Sequence, residues 1–135
     1  MTASGLGLWG GWDPIMIKTR ICGGTVYAGY MVALSADNTV VLTSSQGEQA
    51  DGLAMDDGTT GKEIRVMVLG YGPVVCTTAS GFILGEALTP SATTDNGKVE
   101  AAASGDYVCG RIDDAPGADD DVVGALIDCV KPTIY

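Results

Sequence analysis

Histidine is absent from this chain of 135 residues, and lysine and arginine together number seven. The first absence removes the commonest general acid–base and a common metal ligand. The second leaves 17 acidic residues and a net charge of -10. That field repels a phosphate backbone, and no basic stripe offsets it, so nucleic-acid binding is excluded. Long apolar runs are missing as well. The longest candidate, 64–84, is broken by Arg65, several glycines, Pro73 and Thr77-Thr78-Ala79-Ser80, and none approaches the roughly 20 residues of a membrane helix. The start, Met1-Thr2-Ala3-Ser4-Gly5, lacks a basic region, so a soluble protein without a secretory signal is expected. There is no Cys-x-x-Cys, no Gly-x-Ser-x-Gly elbow and no phosphate loop. With lysine confined to Lys18, Lys62, Lys98 and Lys131, the expectation is a protein that is not an enzyme, holds no metal and needs no cofactor.

What the chain does have is glycine, 20 of them in turns, and 46% hydrophobic residues. That combination suits one domain of many short strands with an ordinary core. It also has an internal echo. Gly29-Tyr30-Met31-Val32-Ala33-Leu34-Ser35-Ala36-Asp37-Asn38 is answered by Gly85-Glu86-Ala87-Leu88-Thr89-Pro90-Ser91-Ala92-Thr93-Thr94-Asp95-Asn96. Gly52-Leu53-Ala54-Met55-Asp56-Asp57 is answered by Gly110-Arg111-Ile112-Asp113-Asp114. The offset is 56 before the extra threonines (29 to 85) and 58 after them (52 to 110), as one insertion would produce. Copies at 29–69 and 85–128 are therefore read as a duplicated β-unit.

The local pattern agrees. Ile15, Ile17, Thr19 and Ile21 alternate with Met16, Lys18 and Arg20, which predicts a strand with the first set buried. Strands are expected at 30–34 and 39–43 around the turn Ser35-Ala36-Asp37-Asn38, at 51–55, and at 63–68, the clearest period of two. A turn at Gly70-Tyr71-Gly72 should separate 63–68 from a strand at 73–77. Further strands are expected near 98–100, 106–112 and 122–130, the last apolar on both faces except Asp128 and hence central; 79–87 is the only candidate for a helical turn. The fold class is all-β, a small barrel or sandwich-like domain with an internal pseudo-duplication and an extended N-terminal arm.

That arm, residues 1–14, holds both tryptophans and four glycines before a single β domain at 15–135. Glycine at this density disfavours helix and isolated strand. Leu6, Leu8, Trp9 and Trp12 are nonetheless costly to leave in water, and with Pro14 they are the candidate contact residues for a partner surface. Folding back over the chain's own core is the other use for them.

Two further clusters have bland readings. Asp113, Asp114, Asp119, Asp120 and Asp121 lack the alternating ligand spacing of an EF-hand and read as a solvated turn rather than a calcium loop. Cys22, Cys76, Cys109 and Cys129 are scattered and read as small buried hydrophobes, Cys109 with Cys129 being one pair that an oxidising environment would join.

Several of these segments together carry a likeness. They are Val26-Tyr27-Ala28-Gly29-Tyr30-Met31-Val32 with its polar hairpin, Ala50-Asp51-Gly52-Leu53-Ala54, the strand 62–69, Gly85-Glu86-Ala87-Leu88, and Asp106-Tyr107-Val108-Cys109-Gly110-Arg111. Over 22–130 the pattern resembles the small capsid-cement, or head decoration, proteins of tailed bacteriophages; the four cysteines and the tryptophan-bearing arm depart from it. The resemblance implies a β-rich homotrimer, made in the host cytoplasm and bound to the outer surface of the expanded head in the virion. There it would bridge neighbouring copies of the major capsid protein, with the arm lying on the shell. A carbohydrate- or surface-binding β-module and a tail or baseplate subunit share the composition and remain alternatives; the former needs its scattered aromatics (Tyr27, Tyr30, Tyr71, Phe82, Tyr107, Tyr135) gathered into a platform.

Overall fold

The computed structural model of the chain describes residues 11–77, 85–91, 96–114 and 116–135. Among these residues nine strands form one sheet: β1 (Asp13–Cys22), β2 (Met31–Ala36), β3 (Thr39–Leu42), β4 (Gly52–Ala54), β5 (Glu63–Val75), β6 (Ala87–Pro90), β7 (Val99–Ala101), β8 (Gly110–Ile112) and β9 (Val122–Asp128). The order is β1-β3-β2-β4-β5-β9-β8-β6-β7, and β1 also pairs with β5. That extra pairing closes β1, β3, β2, β4 and β5 into a ring. A second ring follows through β5, β9, β8, β6 and β7, returned to the end of β5 by the parallel bridge Cys76↔Val99.

The duplication is legible bond by bond. Met31 pairs with Leu53 as Ala87 pairs with Arg111, and Val32 with Gly52 as Leu88 with Gly110, at offsets of 56 and 58 as the repeat predicts. Gly29 N–H donates to Ala54 O and Gly85 N–H to Ile112 O, while Asp51 N–H donates to Val32 O and Cys109 N–H to Leu88 O. The single insertion is corrected, however. Five residues separate Leu34 from its partner Val40, and eight separate Pro90 from Val99. Nine lie between β3 and β4 but eight between β7 and β8, so three residues are added and one is removed. The register also moves the match for Asn38 from Asn96 to Gly97, and both sit at positive φ (55° and 80°), where asparagine and glycine are the tolerated residues.

The unit is longer than the repeat suggested. Cys22 N–H donates to Lys62 O and Gly23 N–H to Val40 O; their counterparts are Cys76 N–H to Asp121 O and Thr77 N–H to Val99 O. The end of β1 in the first unit therefore corresponds to the end of β5 in the second. β5 closes the first ring with its first half and opens the second with the rest. Gly70-Tyr71-Gly72, expected to be a turn, is instead the middle of this 13-residue strand. β9 is central, between β5 and β8, as its composition implies, although Val122 and Leu126 stay exposed.

The interiors match position by position. Cys22, Val32, Val40, Ala54, Ile64 and Val66 fill the first ring, and Cys76, Leu88, Val99, Ile112, Val123 and Ala125 the second. β2, β4 and β5 are buried on both faces, because Met31, Leu53 and Met67, pointing the other way from Val32, Ala54 and Val66, join the second core. Strands buried on both sides read as continuous apolar runs, as 64–69 does.

Gly52 and Gly110 occupy equivalent places, where an added Cβ would run into Met67 O and Leu126 O respectively. Gly52→Ala and Gly110→Ala should each lower stability by about 1–3 kcal/mol in urea unfolding. Equal costs are expected from the shared geometry, and a neutral result at either would contradict the pairing of β4 with β5 or of β8 with β9.

Candidate interaction surface

β1 reaches beyond its ring. β5 accompanies it from Asp13 to Ile21, whereas β3 meets it only at Ile21 and Cys22. Among the described residues no other strand pairs with 13–20. The strand is anchored at its inner end by Arg20, whose Nε and Nη2 donate to the two carboxylate oxygens of Asp51 (2.9 and 3.1 Å) and whose Nη1 donates to Asn38 Oδ1 (3.0 Å). This forked pairing ties β1 to the β2–β3 turn and the approach to β4, and the Asp51 hydrogen bond raises the Arg20 pKa.

Outward of this clamp the strand is apolar and exposed. Ile15 is 72% accessible, Met16 41% and Ile17 42%. The expected burial of Ile15, Ile17 and Thr19 is thus overturned; all three are exposed. Register shifts between Pro14, Met16 and Ile17 break the alternation, and the side chains of this part of β1 stay accessible. Burying one such side chain is worth about 1.5–3 kcal/mol, so the strip is a candidate interaction surface.

Clefts open among the described residues. One, of about 450 Å³, opens beside the clamp among Lys18, Arg20, Leu34, Asp51, Val130 and Pro132. A second, of about 210 Å³, lies on the outer face of the second ring among Gly110, Arg111, Leu126 and Asp128. A third, of about 270 Å³, is flanked by Tyr27, Asp57 and Lys62, and Tyr27 packs tilted on Tyr30 with ring centroids 5.4 Å apart.

The carboxylates are engaged locally. Asp121 accepts from Gly117 and Ala118 N–H (2.6 and 2.9 Å), Asp120 pairs with Lys98 (2.9 Å), and Asp113 accepts from Tyr71 Oη (3.1 Å). Among the described residues no three His, Cys, Asp or Glu side chains converge as a metal site would need. Burial, helped by Asp113, pushes Tyr71 up to about 12. Hydrogen bonds from Arg65 hold Asp56 below the ordinary carboxylate value. The four cysteines are free thiols; burial pushes Cys76 and Cys109 up to about 12 and Cys129 well above its usual range.

Of the residues singled out in the sequence, Leu6, Leu8 and Trp9 lie outside the described residues. Trp12 is half-buried against the second core, near Gly72, while Pro14 is exposed within β1. Trp12 thus packs part of its ring on the chain's own core. Ile15, Met16 and Ile17 were missed as surface residues; the signal available was Pro14, which marks an edge strand.

No family model matches the chain, and no curated protein matches it. Its fold is similar to that of the N base of head fiber gp8.5 of bacteriophage phi29, with a TM-score of 0.63 and 17% sequence identity over 86% of this chain and 96% of that one. The all-β architecture is thus shared with a known structure.

Two outcomes are expected. Native protein at pH 8 should react slowly with a thiol reagent such as DTNB, and unfolded protein should release four thiols at once, because only the thiolate attacks. Since the Asp56 pKa is depressed by folding, its contribution to stability is present above the ordinary value of 3.8 and is lost as the pH falls through the lower folded value. Arg65→Gln should move the Asp56 titration, followed by NMR, up towards 3.8.

Proposed function

We propose that the protein is a structural, non-catalytic component of a tailed-phage head, bound in the virion to the outer surface of the expanded shell, where it bridges major capsid subunits and stabilises the lattice. The observation that carries this reading is the fold likeness to a phage head fiber base across nearly the whole of both chains. The exposed Ile15-Met16-Ile17 strip, next to an arm rich in leucine and tryptophan, supports it by supplying the apolar area that shell binding requires. Its net charge of -10 suits contact with protein rather than with packaged DNA. The mechanism is linkage: a ligand that binds only the expanded lattice stabilises that lattice. Assembly as a homotrimer multiplies individually weak contacts through high effective concentration.

One observation favours a second reading. Tyr27, half exposed, stands beside Asp57 and Lys62 in an open cleft, an arrangement that suits stacking on a sugar ring; a glycan array separates this binding-module role from cement.

The test is co-sedimentation with undecorated, expanded heads of the source virus. Full-length protein should bind saturably. Removal of residues 1–10, or the pair Ile15→Asp with Ile17→Asp, should weaken binding at least about tenfold, about 1.4 kcal/mol. Absence of binding by folded, full-length protein would overturn the cement reading.

A further inference from the structure

The two units do not merely repeat; the outer face of the first packs on the second, and the same two surfaces recur unused at the molecule's ends. On the first ring, Met31, Leu53 and Met67 lie side by side across β2, β4 and β5 and are fully buried in the second core. They close around Gly72, where an added Cβ would lie 2.9 Å from Met67 Cε and 3.1 Å from Leu53 Cδ2. On the second ring the equivalent row across β6, β8 and β9 is Ala87, Arg111 and Leu126. This row is open: Arg111 is exposed, Leu126 is 36% accessible, and a cleft of about 210 Å³ runs beside both.

The receiving surface is left over in the same way. The place of Gly72 in the second unit is taken in the first by Lys18, and the places of Val74 and Cys109 by Arg20 and Asp51, through the correspondence of β1 with the second half of β5. Val74 and Cys109 are buried beneath the internal junction. Lys18, Arg20 and Asp51 instead line the open cleft of about 450 Å³. The side chains of Lys18 and Arg111 make no hydrogen bond or ion pair with a described residue.

We infer that copies of this chain associate head to tail, the Ala87–Arg111–Leu126 row of one docking at the Lys18–Arg20–Asp51 end of the next and repeating between chains the junction already present within one. The chemistry is complementary. Arg111 approaches the Asp51 carboxylate, Asp128 beside Arg111 faces Lys18, and Leu126 meets Leu34, which is 54% accessible. Ala87, Arg111 and Leu126 stand where Met31, Leu53 and Met67 do, so a smaller side chain and one charge keep this face soluble until the partner arrives. The interface is heterologous, so it closes into a ring where the rotation allows, rather than pairing identical patches about a two-fold axis. It rests on the homo-oligomer in the reading above and not on shell binding.

The test uses full-length Leu126→Glu, which spoils the outgoing row, and full-length Leu34→Glu, which spoils the receiving cleft; both sites are exposed, and urea unfolding checks that each variant folds. Sedimentation velocity should find the unsubstituted chain as a closed oligomer and each variant alone as a monomer. A mixture of the two should give a dimer and nothing larger, since each variant retains one good face and the two that remain fit each other. A monomeric unsubstituted chain, variants that still assemble, or a mixture that stays monomeric would overturn the inference. A monomer that still co-sediments with heads would do so while leaving the cement reading intact.

Discussion

Strand β5 is the constraint on which the rest depends. Its 13 residues hydrogen-bond to β1 and β4 along the first half and to β9 along the second. Val66 faces one core and Met67 the other. Neither ring has another strand that closes it, so the two halves are one cooperative body and not two domains joined by a linker. The interior of each ring is modest, built from valine, alanine and cysteine with an occasional isoleucine or leucine. Much of the burial arises where the outer face of the first ring meets the second.

The same scaffold carries opposite chemistry at its two ends. Where the second unit places Val74 and Cys109, the first places Arg20 and Asp51. The ion pair is only partly buried, with 16% and 8% of the side chains accessible, and each partner is satisfied by two or more hydrogen bonds, so its desolvation is compensated. An apolar pair at that point would stabilise as well, but it would line an open cleft with apolar groups. The two units share a backbone pattern and differ in side chains where their neighbours differ.

How much of this was legible in the sequence follows from what each signal depends on. The repeat was legible because equivalent glycines at 29 and 85, and at 52 and 110, answer local backbone demands that survive divergence. The all-β class and the central place of β9 followed from composition and apolar content. The errors have physical causes. Gly70-Tyr71-Gly72 resembles a turn, but glycine is equally at home where a strand is approached closely, as Gly72 is by Met67, Leu53 and Trp12. Alternation along β1 gave the right element and the wrong exposure, since a period of two says that two faces differ and not that either is covered. The equivalence of β1 with half of β5 leaves no trace in residue identity beyond Cys22 and Cys76. Of the candidate contact residues, Leu6, Leu8 and Trp9 lie outside the described residues, and the exposed apolar groups that follow them, Ile15, Met16 and Ile17, were hidden in the sequence by an alternation that reads as half-buried.

The shared strand also bears on the order in which the protein is made. The first ring has all its strands once β5 leaves the ribosome, while the second is still being synthesised. Until β9 arrives, nearly fifty residues later (Val75 to Val122), Met31, Leu53, Met67 and the second half of β5 have no cover. The nascent chain must therefore carry a sticky half-molecule through that interval. Slow translation of the stretch after β5 would prolong the exposure, and a chaperone that holds apolar strands would shorten its effect.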